Sequence, residues 1–218
     1  MKTFLSIGSG PGMGLATAAR FAREGFQVVL SARNADKAQE LAGLLTARRH
    51  RAFGRRVDAG DLANVAGLVA EVESAHGGID VLHYNAASMR KATLLEQPRD
   101  SFVSDFAINA GGAMAAVQAA ARGMFARGSG TILITGGGYG LRPNPQYLSL
   151  SIGKAAARAF AQGIFESFRE NGVHVATVTV GGDVRTERDA EAVAEHFWQL
   201  HSQPADRWEV ERRYTPQG

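Results

Sequence analysis

The chain has 218 residues, of which 45% are apolar, with a net charge of +3 and no cysteine. That length and composition suit one α/β domain with a sizeable core. The missing thiols exclude disulfides, thiol catalysis and thiolate metal sites, and no apolar run approaches the roughly 18 residues of a bilayer span. A cytoplasmic protein without a membrane partner is expected.

The opening residues 3–7 are apolar and run directly into a glycine-rich turn. With no cleavage-like segment between, they read as a strand and not as a signal peptide. Further apolar runs at 27–31, 51–57, 79–84, 131–135, 174–180 and 208–213 alternate with helical patterns. This alternation predicts βαβ units and an α/β fold: a single doubly wound Rossmann-type domain over 1–218 with a seven-stranded, mainly parallel sheet. A helix over 98–127 is predicted to place Phe102, Phe106, Ala113, Val117, Ala120 and Met124 on one stripe. Another over 147–171 does so with Ala157, Phe160, Ala161, Ile164 and Phe168. Gly111 and Gly112 inside the first of these helices each cost about 0.5–1 kcal/mol against alanine. They point to a kink that frees a carbonyl for a bound water, to close helix packing, or to both.

The turn after the first strand is Gly8-Ser9-Gly10-Pro11-Gly12-Met13-Gly14. Glycines let a backbone turn tightly and approach a pyrophosphate, and a following helix offers free N–H groups to the anion. Gly8, Ser9, Gly12, Met13 and Gly14 are therefore candidate cofactor contacts. A methyltransferase turn could share part of this pattern, but it calls for an acidic residue after the second strand, where Ala32-Arg33 stands. The same dipeptide favours NADP over NAD. An acidic residue would repel a 2′-phosphate, and Arg33 offers it a cationic fork.

The basic cluster Arg48, Arg49, His50, Arg51, Arg55 and Arg56 reads as a solvated helix end and strand edge, or as steering for an anionic ligand. Only Phe53 lies among these charges, so no nucleic-acid partner is expected. His196 and His201 have no third ligand at a suitable spacing, and no metal is expected.

The spacing of Gly8, Gly12 and Gly14 resembles the short-chain dehydrogenase/reductase family. Five further segments stand in the family's order: Asp58 closing the third strand, Asn85-Ala86-Ala87, Asn109, Lys154, and Gly182-Asp183-Val184-Arg185-Thr186. The resemblance implies cofactor contacts from Asp58, Asn85, Lys154, Gly182 and Thr186, a small-molecule substrate, and a homodimer or homotetramer formed by the two long helices. It also implies an active site of four residues, in which Asn109 and Lys154 would keep their roles. The family's tyrosine acid/base falls at Leu150, however, and its serine at Gly137. Tyr147, Tyr139 and Thr135 are the candidates to compensate. Losing general acid catalysis costs roughly 10²–10⁴ in rate. The expected function is thus an NADP(H)-dependent short-chain oxidoreductase with a degenerate site. The alternative is a catalytically silent NADP(H)-binding sensor or partner subunit, with no substrate. The family's flexible lid after position 186 is nearly absent, because a helix is predicted to start almost at once.

Overall fold

The computed structural model describes residues 1–216; the last two residues of the predicted domain lie outside them. Seven strands form one sheet: β1 (Thr3–Ile7), β2 (Gln27–Ala32), β3 (Ala52–Arg56), β4 (Val81–Tyr84), β5 (Gly130–Gly137), β6 (Val173–Val180) and β7 (Glu211–Tyr214), in the order β3-β2-β1-β4-β5-β6-β7. Every neighbouring pair is parallel, including β6 with β7. The expected Rossmann-type α/β fold is what the chain adopts.

Parallel strands need crossover helices on the sheet faces. One face is covered by α1 (Met13–Arg23), α2 (Ala35–Ala47) and α7 (Glu187–His201), whose core includes Phe4, Phe21, Leu30, Leu45 and Phe197. The other carries α3 (Leu62–His76), α5 (Gly112–Arg127) and α6 (Leu148–Glu170), packed around Leu5, Ile7, Val69, Leu82, Ile132 and Met124. Burial of each such large side chain contributes about 1.5–3 kcal/mol. The strand order reverses between β1 and β4, which opens a crevice at the carboxyl ends of the strands.

The predicted helix over 98–127 is not continuous. It consists of α4 (Ser101–Phe106), a π-helical turn (Ala107–Gly111) and α5. A π-turn inserts one extra residue, so the helix faces on its two sides are rotated relative to each other. Phe106 therefore leaves the expected inner stripe and is 40% exposed, whereas Ala113, Val117, Ala120 and Met124 are buried. Close packing accounts for Gly112. The Ile108 carbonyl in the π-turn accepts a 2.6 Å hydrogen bond from the Tyr84 hydroxyl. A Cβ on Gly112 would collide with that hydroxyl and with the Ala59 carbonyl.

Among the described residues no helix is long and apolar enough to cross a membrane. No group of three or more His, Cys, Asp or Glu side chains among them could hold a metal ion.

Candidate active site

The crevice at the strand ends is a cleft of about 1330 Å³. Its first wall is the β1–α1 turn. Gly8 has φ +84°, and a Cβ there would fall onto the Ala86 backbone, so the turn's path depends on glycine. Gly8, Ser9 and Met13 line the cleft. Gly12 is instead the N-cap of α1, and Gly14 is buried against Ser9 and Asn85.

At the β2 end, Ala32 and the exposed Arg33 line the cleft. Asn34 caps α2 by accepting the Lys37 amide at 3.0 Å. The parallel register sets Arg56 opposite Ala32, a neighbour that the linear sequence hides. Neither Arg33 nor Arg56 makes an ion pair among the described residues. Arg55, on the opposite strand face, pairs with Glu71 at 2.6 Å. Asp58 lines the cleft and accepts the Gly60 amide at 3.0 Å.

A buried polar chain runs across the floor. Asn85 donates to the Gly8 carbonyl at 2.9 Å and accepts from the Thr135 hydroxyl at 2.8 Å. Since that hydroxyl directs its proton at Asn85, its oxygen accepts from Nε2 of His83 at 3.1 Å. The other ring nitrogen, Nδ1, then accepts from Ser6 at 3.2 Å. Burial first, and the Lys154 charge second, hold the His83 pKa down at about 3, so the imidazole is neutral. Thr135 thus lines the cleft, but its hydroxyl is already engaged. His83 was missed because an isolated histidine inside an apolar strand carries no motif.

Lys154 comes from the first half of α6, and its ammonium donates 2.6 Å to the Thr135 carbonyl. Burial lowers its pKa to about 8. Leu150, one turn earlier, is 3% exposed and lines the cleft beside Lys154 and Gly137. A Cβ on Gly137 would stand 3.3 Å from Cγ of Lys154.

Asn109 does not line the cleft. It is buried, and its carbonyl oxygen accepts the Ser88 amide at 2.7 Å while its amide donates to the Ser88 carbonyl at 3.3 Å. It holds the wall from behind. The same wall is tied down by buried Asp105, which accepts hydrogen bonds from Ser88 (2.6 Å), Arg90 (2.8 Å) and Ser149 (2.9 Å). Burial pushes that carboxyl up, but the bonds from Arg90, Ser88 and Ser149 outweigh it and keep the pKa low. Nothing in the sequence singled out Asp105, whose partners lie far apart along the chain.

Tyr147 requires a correction and Tyr139 does not. Tyr147 is not on the helix but is its N-cap, with φ −135° and ψ 45°, so its ring does not share the face of Leu150. It stacks on Tyr139 with ring centroids 5.5 Å apart. Tyr139 sits in the one-turn 3-10 helix Gly138–Gly140 and lines the cleft. Thr186 also stands outside the lining. It forms a capping box with Asp189 at the start of α7, whereas Gly182 does line the cleft. Only residues 181–186 connect β6 to α7, so the expected lid is short. The two histidines weighed as metal ligands are packing residues: His201 pairs with Thr131 at 2.9 Å, and His196 lies against Tyr214.

Comparison with known proteins agrees with this architecture. The chain is 30% identical over 190 residues to a glucose 1-dehydrogenase of Gluconobacter oxydans, covering 84% of this chain and 70% of that protein. A crystal structure of a short-chain dehydrogenase from Rhodopseudomonas palustris superposes with a TM-score of 0.90 at 28% identity, covering 99% of this chain and 98% of the other. At 23% identity, a metagenomic short-chain oxidoreductase in complex with NADP shares the fold, with a TM-score of 0.91 over 99% and 97% of the two chains. The short chain dehydrogenase family model matches residues 2–196, and the chain belongs to that family.

Proposed function

We propose that the cleft binds NADP(H), and that the chain is a short-chain oxidoreductase whose proton-transfer position has been lost. Three features of the cleft fit a dinucleotide. The Gly8 turn presents bare backbone at the start of α1, where N–H groups and the helix dipole favour a pyrophosphate. The volume of about 1330 Å³ exceeds the roughly 300–1,000 Å³ of ordinary ligand pockets. Arg33 and Arg56 flank Ala32, and neither is in an ion pair among the described residues, which suits a 2′-phosphate. When bound, the nicotinamide supplies a hydride donor or acceptor.

The chain's own residues then divide the work. The Gly8 turn, Ser9, Met13, Arg33, Arg56, Asp58 and Gly182 hold the dinucleotide, and Asn85 braces the turn. Lys154 lies close enough to the floor to bind a ribose hydroxyl, while Asn109 and Asp105 fix the Ser88 wall. No side chain at positions 137 or 150 can move a proton. The carrying observation is that Leu150 is buried in the cleft wall beside an intact Lys154. A proton delivered during turnover comes from water, which the short 181–186 connection leaves with access, or from Tyr139.

The silent-binder reading is favoured by one observation: Tyr139 is stacked on Tyr147 and is not displayed singly over the floor. NADPH consumption over a panel of carbonyls, quinones and imines separates the two readings. Turnover that Tyr139→Phe abolishes supports a relocated acid, turnover insensitive to it supports water, and no turnover supports the sensor.

The proposed assembly is a homodimer or homotetramer through α4 and α6. Val103 and Ile152 on these helices are 77% and 49% exposed, and Phe106, one turn after Val103, is exposed too. Exposed large apolar side chains on two neighbouring helices suit burial against a second copy. Light scattering of the parent and of Val103→Lys with Ile152→Glu tests this: a multimer that becomes monomeric is expected, and a monomeric parent refutes it.

A further inference from the structure

Two charges in the cleft are not among the residues assigned above to the dinucleotide. Arg142 and Arg213 both line the cleft, both are exposed, and neither makes an ion pair or a side-chain hydrogen bond among the described residues. The other charges near them are committed. Arg185 is paired with Asp183 at 2.6 Å. Glu211, two residues before Arg213 on the same strand face, is held bidentately by Arg158 and bonded by Thr179.

The two arginines rise from backbone segments that are linked to one another. The Arg142 amide donates to the Gly138 carbonyl at 2.9 Å. Gly138 abuts Gly181, since a Cβ on it would stand 3.2 Å from the Gly181 Cα. The Gly181 amide in turn donates to the Tyr214 carbonyl at 2.7 Å, and Tyr214 is the residue after Arg213. Both arginines share the cleft with Gly137, Leu141, Leu150 and Lys154, and Gly140, two residues before Arg142, packs on the Lys154 backbone; β2, which carries Arg33 at its end, lies on the other side of the sheet centre.

We infer that the part of the cleft beside Leu150 is a binding site for a carbonyl compound bearing a carboxylate, with Arg142 and Arg213 as its anion-binding side chains. Calling this occupant a substrate rests on the oxidoreductase reading above; its charge does not. Planar guanidinium groups match a carboxylate in bidentate geometry, and low-dielectric walls concentrate their field on the cleft. Leu141 and Leu150 suit the uncharged body of such a compound. An anchored carboxylate also holds the carbonyl in place without help from positions 137 and 150, as remote binding energy can serve orientation at a reacting centre.

The test is calorimetric titration of the full chain with benzoylformate and with its methyl ester, with and without NADPH. The acid should bind at least about 10-fold tighter than the ester, the scale of a hydrogen bond to a charged group. Arg142→Gln and Arg213→Gln should each remove about that preference and leave ester affinity alone, whereas Arg142→Lys should keep part of it. Equal binding of acid and ester, binding of neither, or an acid preference that survives both glutamine variants overturns the inference. NADPH titration alone tests the cofactor reading. An acid preference without NADPH binding would sink that reading and leave this one standing, and the reverse pattern would do the opposite.

Discussion

The Lys154 ammonium donates a 2.6 Å hydrogen bond to the Thr135 carbonyl, so the buried cation is anchored to the end of β5. Burial lowers its pKa from 10.5 to about 8. Between these values the unfolded chain binds more protons than the folded one, so this group's contribution to stability rises with pH from about 8 to 10.5. Urea melts of the parent should show that gain relative to Lys154→Met, in which it should vanish. Parallel pH profiles for the two proteins would contradict it.

His83 should stay neutral down to about pH 4, as the Nε2–H tautomer bonded to Thr135. Its folded pKa lies below the unfolded value of 6.5, so its contribution is present above pH 6.5 and is lost as pH falls toward 3, by up to about 1.4 kcal/mol per pH unit. Burial holds His201 down at about 4 as well, adding a second acid-labile group. Nitrogen-15 NMR of the imidazoles reads both; a His83 resonance titrating near pH 6.5 would show the polar chain to be broken.

Arg33→Ala and Arg56→Ala should each weaken NADPH by about 1.5–3 kcal/mol, the scale of a charged hydrogen bond, and change NADH little. Arg55→Ala provides the control, because that guanidinium is turned toward Glu71. If it weakened NADPH as much as Arg56→Ala, general electrostatics and not phosphate contact would be at work.

Leu150→Tyr with Gly137→Ser should create or raise carbonyl reduction by about 10²-fold or more, the scale of restored general acid catalysis. Leu150 lines the cleft, so a phenol has open volume to enter. The serine is tighter, because its Cβ stands 3.3 Å from the Lys154 side chain, whose methylenes must shift. Leu150→Tyr alone should therefore recover most of the gain. A double variant that binds NADPH and remains inert would mean that the framework has drifted beyond these two residues.

How far the sequence revealed this molecule depends on whether a feature is local. Strand β1, the Gly8 turn and the alternation of strands and helices were legible because periodicity and turn chemistry act over a few residues. The π-turn at 107–111 was not, since it depends on Tyr84 and Ala59 meeting Gly112 from other elements. Tyr147 was misplaced by one residue's conformation: a helix start known only to within a turn cannot say which way a ring points. His83, Asp105 and Arg213 were invisible as site residues, because strand register and loop docking, and not spacing, set Arg213 in the cleft wall and the other two behind it; Arg56 was seen only as one of a basic cluster, and its place opposite Ala32 comes from the register. Asn109 was found as a motif residue, but its side chain holds Ser88 from behind the wall.

The central claim is an NADP(H) cleft in a chain without the family's proton donor, and cofactor titration of the parent protein tests its foundation. Quenching of intrinsic fluorescence by NADPH and by NADH, measured at one pH and ionic strength, should give an NADPH affinity at least about 10-fold the tighter, as expected for one charged hydrogen bond to the 2′-phosphate. Equal affinities, or no binding of either nucleotide, would contradict the account.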